Sequence, residues 1–100
     1  PTTVEFSQDE TSQLTTLEVT TADWPGLLAR VGSVLSRHDV SVQGAKIQTL
    51  GERVEDIFFL ADAAGGQLQD DALLATLESD LLEALDTSQQ EESPVSDLNI

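Results

Sequence analysis

The sequence predicts an α+β domain: a four-stranded antiparallel sheet with two helices on one face, in the order strand, strand, helix, strand, strand, helix. Three observations lead there. Apolar residues alternate with polar ones in four short segments, the mark of strands. They recur at helical spacing in two longer segments. Polar or glycine-bearing turns separate the six. A chain of 100 residues, 39% of them hydrophobic, suits one domain with one modest core.

The elements follow in order. Val4 and Phe6 flank Glu5 in the alternation of a short first strand near residues 3–7, and Ser7 to Gln13 is polar and reads as a loop. Leu14 to Thr21 is rich in Thr and Val, with Leu17 and Val19 on one face, and forms the second strand. The stretch T-T-A-D-W-P-G-L-L-A-R-V-G-S-V-L-S-R-H-D-V-S-V, Thr20 to Val42, holds a strand end, a tight turn, a helix and the next strand's start. Pro25 suits a first helical position, where its missing N–H has no intrahelical partner in any case. Asp23 stands where its carboxylate can cap the amides that follow. Leu27, Leu28, Val31, Val34 and Leu35 make the apolar stripe, and the helix ends near His38.

Val40 to Leu50 is the third strand. Its apolar positions change parity, with Val42 even and Ala45 and Ile47 odd. Gly44 sits at the switch, so either a bulge there restores one buried face or both faces are partly buried. Gly51-Glu52 makes a hairpin turn into Arg53 to Asp62, the most apolar strand. Ile57, Phe59 and Ala61 point one way and Phe58 and Leu60 the other; Phe58 and Leu60 are expected on the sheet's open face, as part of a partner surface. Asp70 and Asp71 open the second helix, where acids suit the positive end of the helix dipole. Leu73, Leu74, Leu77, Leu81, Leu82 and Leu85 form its stripe. The domain is expected over 1–86. S-Q-Q-E-E-S-P then begins a polar tail, 87–100, in which Val95, Leu98 and Ile100 form a docking segment or an alternative fourth strand.

Charge narrows the function. The formal net charge is −15, from 19 acids against four cations, Arg30, Arg37, Lys46 and Arg53. A nucleic-acid binder needs cations for phosphates, and anionic membrane surfaces repel such a chain. The acidity reads as a solvated surface or as adaptation to high salt. Without cysteine there is no thiolate chemistry or disulfide. A single histidine at a helix end makes neither a histidine triad nor a metal cluster. Gly65-Gly66 lacks the lysine of a phosphate-binding loop.

D-W-P-G-L-L-A-R-V-G followed by V-S-V resembles the ACT domain, a small ferredoxin-like regulatory module that binds amino acids. G-A-K-I-Q-T-L-G-E-R-V-E-D-I-F-F-L, Gly44 to Leu60, is similar to the last ACT domain of the bacterial PII uridylyltransferases, bifunctional enzymes that add and remove uridylyl groups. The resemblance runs from about Val4 to Leu85. It implies a permuted ACT sandwich, whose usual terminal edge strand is supplied from the chain's start by Val4 to Phe6. It also implies that the chain begins within a longer enzyme.

An amino acid presents a carboxylate and an ammonium group. Free N–H groups at a helix start attract the first, Gly26 lets a ligand approach the backbone, and Asp23 offers a negative oxygen to the second. Ser41 begins the following strand and carries a hydroxyl. The resemblance places a ligand between this turn and that strand, often at a subunit interface, with Thr21, Asp23, Gly26, Leu27 and Ser41 at the motif positions. Trp24 covers the ligand or packs on the core rim or a partner. Each of these also has a structural role open to it: Asp23 as a cap, Gly26 as a packing position, Ser41 as an ordinary strand residue.

The resemblance thus implies a glutamine-sensing regulatory domain acting in nitrogen regulation in the cytoplasm, with no catalytic or metal-binding residue of its own. Its expected partners are a second copy or a neighbouring ACT domain, and the PII signal protein through the parent enzyme. No cofactor is expected in these residues, and Mg2+ is expected for the parent enzyme. The alternative is a structural pairing module that binds no metabolite.

Overall fold

The computed structural model describes residues 1–22 and 25–91, with side chains to position 86. Its strands are β1 (Thr3–Asp9), β2 (Leu14–Ala22), β3 (Ser41–Leu50) and β4 (Arg53–Ala61), and its helices α1 (Leu27–Arg37) and α2 (Asp71–Glu91). The sheet order is β1-β2-β4-β3, antiparallel throughout. β1 therefore fills the edge beside β2, the slot the permuted ACT sandwich requires. Residues 92–100, including the alternative strand from Val95, lie outside the described residues.

One face of the sheet packs on the helices. Val4, Leu17, Val19, Val54, Phe58 and Leu60 from the strands meet Leu27, Val31, Val34 and Leu35 of α1 and Leu77, Leu81 and Leu85 of α2. Strand alternation supplies the first set and helical spacing the second. Phe58 and Leu60 are buried in this core, so the expected orientation of β4 is reversed. Ile57 and Phe59, only half-buried, face the open side. Ala61, buried as well, closes the strand. Two equally apolar sets on one strand give alternation no means of choosing the inner one; the helices choose it.

Other boundaries move for physical reasons. β1 runs to Asp9 through residues read as loop, because Ser7, Gln8 and Asp9 pair with Thr16, Thr15 and Leu14. An edge strand needs only backbone partners on one side, so polar side chains do not end it. The first helix begins at Leu27, not at Pro25. Gly26 precedes it with φ 84°, a left-handed conformation that cannot belong to a right-handed helix. α2 continues to Glu91, past Leu85, the last buried residue of its stripe among the described side chains. Asp70 caps it: Oδ1 accepts from the N–H of Ala72 at 2.9 Å and of Leu73 at 3.3 Å.

The bulge in β3 is present. The pairing with β4 passes from Val42↔Leu60 to Gly44↔Phe59, so Gln43 is the extra residue. Val42 and Ala45 thereby share the helix-facing side. Burial does not follow, since Val42 stays 44% and Ile47 52% exposed. β3 is one of the two edge strands, with β4 beside it on one side only.

Candidate functional site

The helix-facing edge of β3 meets the start of α1 in a cavity of about 280 Å³, lined by Gly26, Leu27, Leu28, Ala29, Ile47, Val54 and Asp56. Gly26 sets the mouth. Its left-handed backbone turns the chain into α1, and its carbonyl accepts the first α-helical bond, from the Arg30 N–H at 3.0 Å. Among the described residues no side chain caps the amides that precede it. Leu28, assigned to the buried stripe by its spacing, is 49% exposed and forms the apolar rim with Ile47. Val54 and Asp56 close the cavity from the sheet.

Asp56 is the residue that sequence reasoning missed. It is 1% exposed and lies on the helix-facing side of β4, in phase with Val54, Phe58 and Leu60. The signal was present in the alternation. Once Phe58 and Leu60 are taken as core residues, an acid two positions before Phe58 must also be inside. A buried carboxylate requires polar partners, so its place beside the helix start is a chemical feature of the cavity.

The residues expected at the site divide. Gly26 and Leu27 line the cavity. Thr21 is fully buried beside it on β2, opposite Val54, and its hydroxyl bonds to that of Thr2 at 2.8 Å. Ser41 lies at the opposite end of β3. It pairs with Ala61, whereas Ile47 pairs with Asp56, five residues and about 17 Å along β4. The Ser41 hydroxyl donates to the Ala61 carbonyl at 3.4 Å and accepts from Gln43 Nε2 at 2.9 Å. Within one chain, then, Ser41 does not meet the turn. Asp23 and Trp24 lie outside the described residues.

Two other hollows have different chemistry. A groove of about 400 Å³ between β1 and α2 carries the acids Asp71 and Glu78 of α2, and would repel an anionic group. A smaller one joins Arg30 and Arg37 with Asp80 and Glu83, which balance each other. Beside it, His38 Nε2 and Asp80 Oδ2 meet at 2.8 Å and fasten the end of α1 to α2. No group of three His, Cys, Asp or Glu side chains suited to a metal occurs among the described residues. Among the same residues, no helix is long and apolar enough to cross a membrane.

Residues 15–81, from β2 into α2, match the model of the ACT domain. The chain belongs to the ACT domain family. The four-stranded antiparallel sheet with two helices is the ferredoxin-like ACT fold. Among curated relatives, it is 43% identical over 96 residues to a bifunctional uridylyltransferase/uridylyl-removing enzyme of Pseudomonas entomophila, covering 96% of this chain and 11% of that protein. It is 49% identical over 82 residues to the enzyme of the same name from Pseudomonas aeruginosa PAO1, covering 82% of this chain and 9% of that one. The corresponding protein of Ectopseudomonas mendocina is 46% identical over 82 residues, with the same coverages. The chain spans about a tenth of the length of these relatives. No solved structure matches it.

Proposed function

We propose that this ACT domain is the amino-acid-sensing regulatory part of a bifunctional uridylyltransferase/uridylyl-removing enzyme, and that its ligand is glutamine. The observation that carries the reading is the cavity at the start of α1. Amides of a helix N-terminus attract a carboxylate. The buried Asp56 supplies a carboxyl group on the opposite wall, and Leu28 and Ile47 offer apolar sides for an aliphatic chain. A ligand with one anionic end, one N–H-bearing end and a short methylene stem matches that sequence of surfaces.

Binding regulates only if it favours one arrangement of the parent enzyme over another. Glutamine therefore binds this domain more tightly in the arrangement that removes uridylyl groups from the PII signal protein. The catalytic parts, and the Mg2+ expected with them, belong to the parent enzyme, and no residue of this chain is assigned to either. Cytoplasmic location follows from the same reading. Ser41 joins the site only from a second copy or a neighbouring ACT domain, since its own chain holds it at the far end of β3.

Calorimetric titration with L-glutamine, up to about 10 mM, tests this. Heat of binding is expected for the wild-type chain and its loss for Ile47→Arg, which lays a long side chain across the cavity from an exposed position. Absence of heat in the wild-type chain, and in two copies joined by a flexible linker, leaves the structural pairing module as the function.

A further inference from the structure

Among the described residues β1 pairs with β2 alone, so its outer edge has no neighbouring strand. An edge strand presents a row of N–H and C=O groups that another chain can pair with. Beside this edge lies the groove of about 400 Å³ under the flank of α2. Val4 and Phe6 of β1 and Leu74 of α2 supply its apolar floor, and Phe6 and Leu74 are only partly buried. Asp71, Ala75 and Glu78 stand at i, i+4 and i+7, so one exposed stripe of α2 forms its wall, with an acid near each end and a small residue between. An edge with a groove along it is the geometry in which an added strand gains both backbone bonds and pockets for alternate side chains.

Charge selects the occupant. Every cation of the chain lies between Arg30 and Arg53, and residues 1–29 and 54–100 contain no Lys, Arg or His. Those same two stretches hold every acid except Asp39 and Glu52. β1, β2 and α2 are therefore purely acidic, and on the open face beside this edge stands the exposed Glu5. We infer that the groove receives an extended, positively charged segment of another polypeptide, which adds to β1 as a fifth strand. A second copy brings the same acids to this edge and is repelled. Residues 92–100 bring Glu92 and Asp97 and no cation, and are disfavoured for the same reason. Repulsion of acidic strands and attraction of basic ones act together on the choice of partner.

The spacing sets the pattern that fits. Asp71 and Glu78, seven residues apart on α2, are separated by about 10 Å along its axis. Side chains on one face of a strand repeat about every 7 Å. Three successive inward positions read cation, apolar, cation: the apolar one rests on Phe6, Leu74 and Ala75, and the two cations reach Asp71 and Glu78. The cations start about 13 Å apart, and the length of two lysine side chains closes the difference. Each exposed ion pair contributes little, so the backbone bonds give the affinity and the charges give the selectivity.

A blocked, fluorophore-labelled peptide with Lys-Thr-Val-Thr-Lys at its centre provides the test, since that pattern is the same in either strand direction. Its anisotropy is followed as the full chain is added to about 1 mM, at an ionic strength of about 0.1 M, where the Debye length is about 10 Å. Saturable binding is expected, at least tenfold tighter than for the peptide with Glu in place of both Lys. Glu78→Lys and Ala75→Lys, at exposed helix positions that lysine suits, each weaken it at least tenfold. Glu52→Lys makes the same change of charge in the turn joining β3 to β4, at the opposite edge of the sheet, and leaves binding within about threefold. Two N-methylated peptides, one blocked on each alternate set of amides, separate strand addition from simple attraction: one loses binding at least tenfold and the other keeps it. The proposal is overturned by no binding at 1 mM, by equal binding of the acidic peptide, by an equal loss in Glu52→Lys, or by equal behaviour of the two methylated forms. Binding that emerges only when residues 92–100 are removed assigns the groove to them and overturns it too.

Discussion

Thr15 shows how much one hydroxyl can hold. It is fully buried on β2, donates to Gln8 Oε1 at 2.7 Å and accepts from the Leu68 N–H at 2.8 Å. Gln8 Nε2 in turn donates to the Leu68 carbonyl at 2.8 Å. Three short bonds thus latch the loop before α2 onto β1 and β2 and seat Leu68 in the core. Thr15→Val keeps the shape and removes the hydroxyl, leaving a buried N–H and an amide oxygen without their partner. Chemical denaturation is expected to show a loss of about 1–3 kcal/mol, the cost of stranding such a group. A loss within experimental error means that water replaces the hydroxyl there. Neither Thr15 nor Asp56 announced itself in the sequence as an interior polar group. Strand parity marks both as inward, but only once the inner face of each strand is known. The turn at Gly26 was not legible, because a helix begun at Pro25 puts the glycine inside it, and its left-handed backbone shows only in the structure.

Elements were legible where a pattern had one solution. Both helices declared their buried stripes through Val31, Val34 and Leu35 and through Leu77, Leu81 and Leu85. The change of parity around Gly44 located the bulge. Patterns with two solutions misled. β4 is apolar on both sides, so its inner face was open to inversion. β1 looked too polar to reach Asp9, and pairing with β2 extends it. The end of α2 is a third case. Helix propagation requires only a backbone bond per added residue, so the helix outlasts its apolar stripe. Among the described side chains Leu85 is the last of α2 that is fully buried. A chain cut after Asp86 is expected to unfold cooperatively with less than about 1 kcal/mol lost, as surface changes away from the core do. A loss of several kcal/mol in thermal denaturation would instead make the residues beyond 86 part of the domain.

At the scale of the whole molecule, charge is the influence on stability that packing does not explain. Nineteen acids share a domain of 100 residues with four cations. The hydrogen bond of His38 with Asp80 is partly exposed, with 25% and 36% of the two side chains accessible, so it offsets little of this excess. Compaction brings the carboxylates closer together than they are in the unfolded chain, and the folded state bears the repulsion. Salt shortens its range from about 30 Å at 0.01 M to about 3 Å at 1 M. Stability should therefore rise with sodium chloride. Between those two concentrations the melting temperature is expected to increase by about 5–10 °C, equivalent to about 1–2 kcal/mol for a domain of this size. Potassium chloride should act alike, because screening depends on ionic strength and not on the cation. The comparison also separates the two meanings of the acidity. A chain that is folded at 0.01 M and merely gains a few degrees has a solvated acidic surface. One that is unfolded there and folds only as salt is added requires screening to exist, which is adaptation to high salt. A melting temperature that falls on going to 1 M would show that favourable pairs outweigh the repulsion, contrary to the charge count.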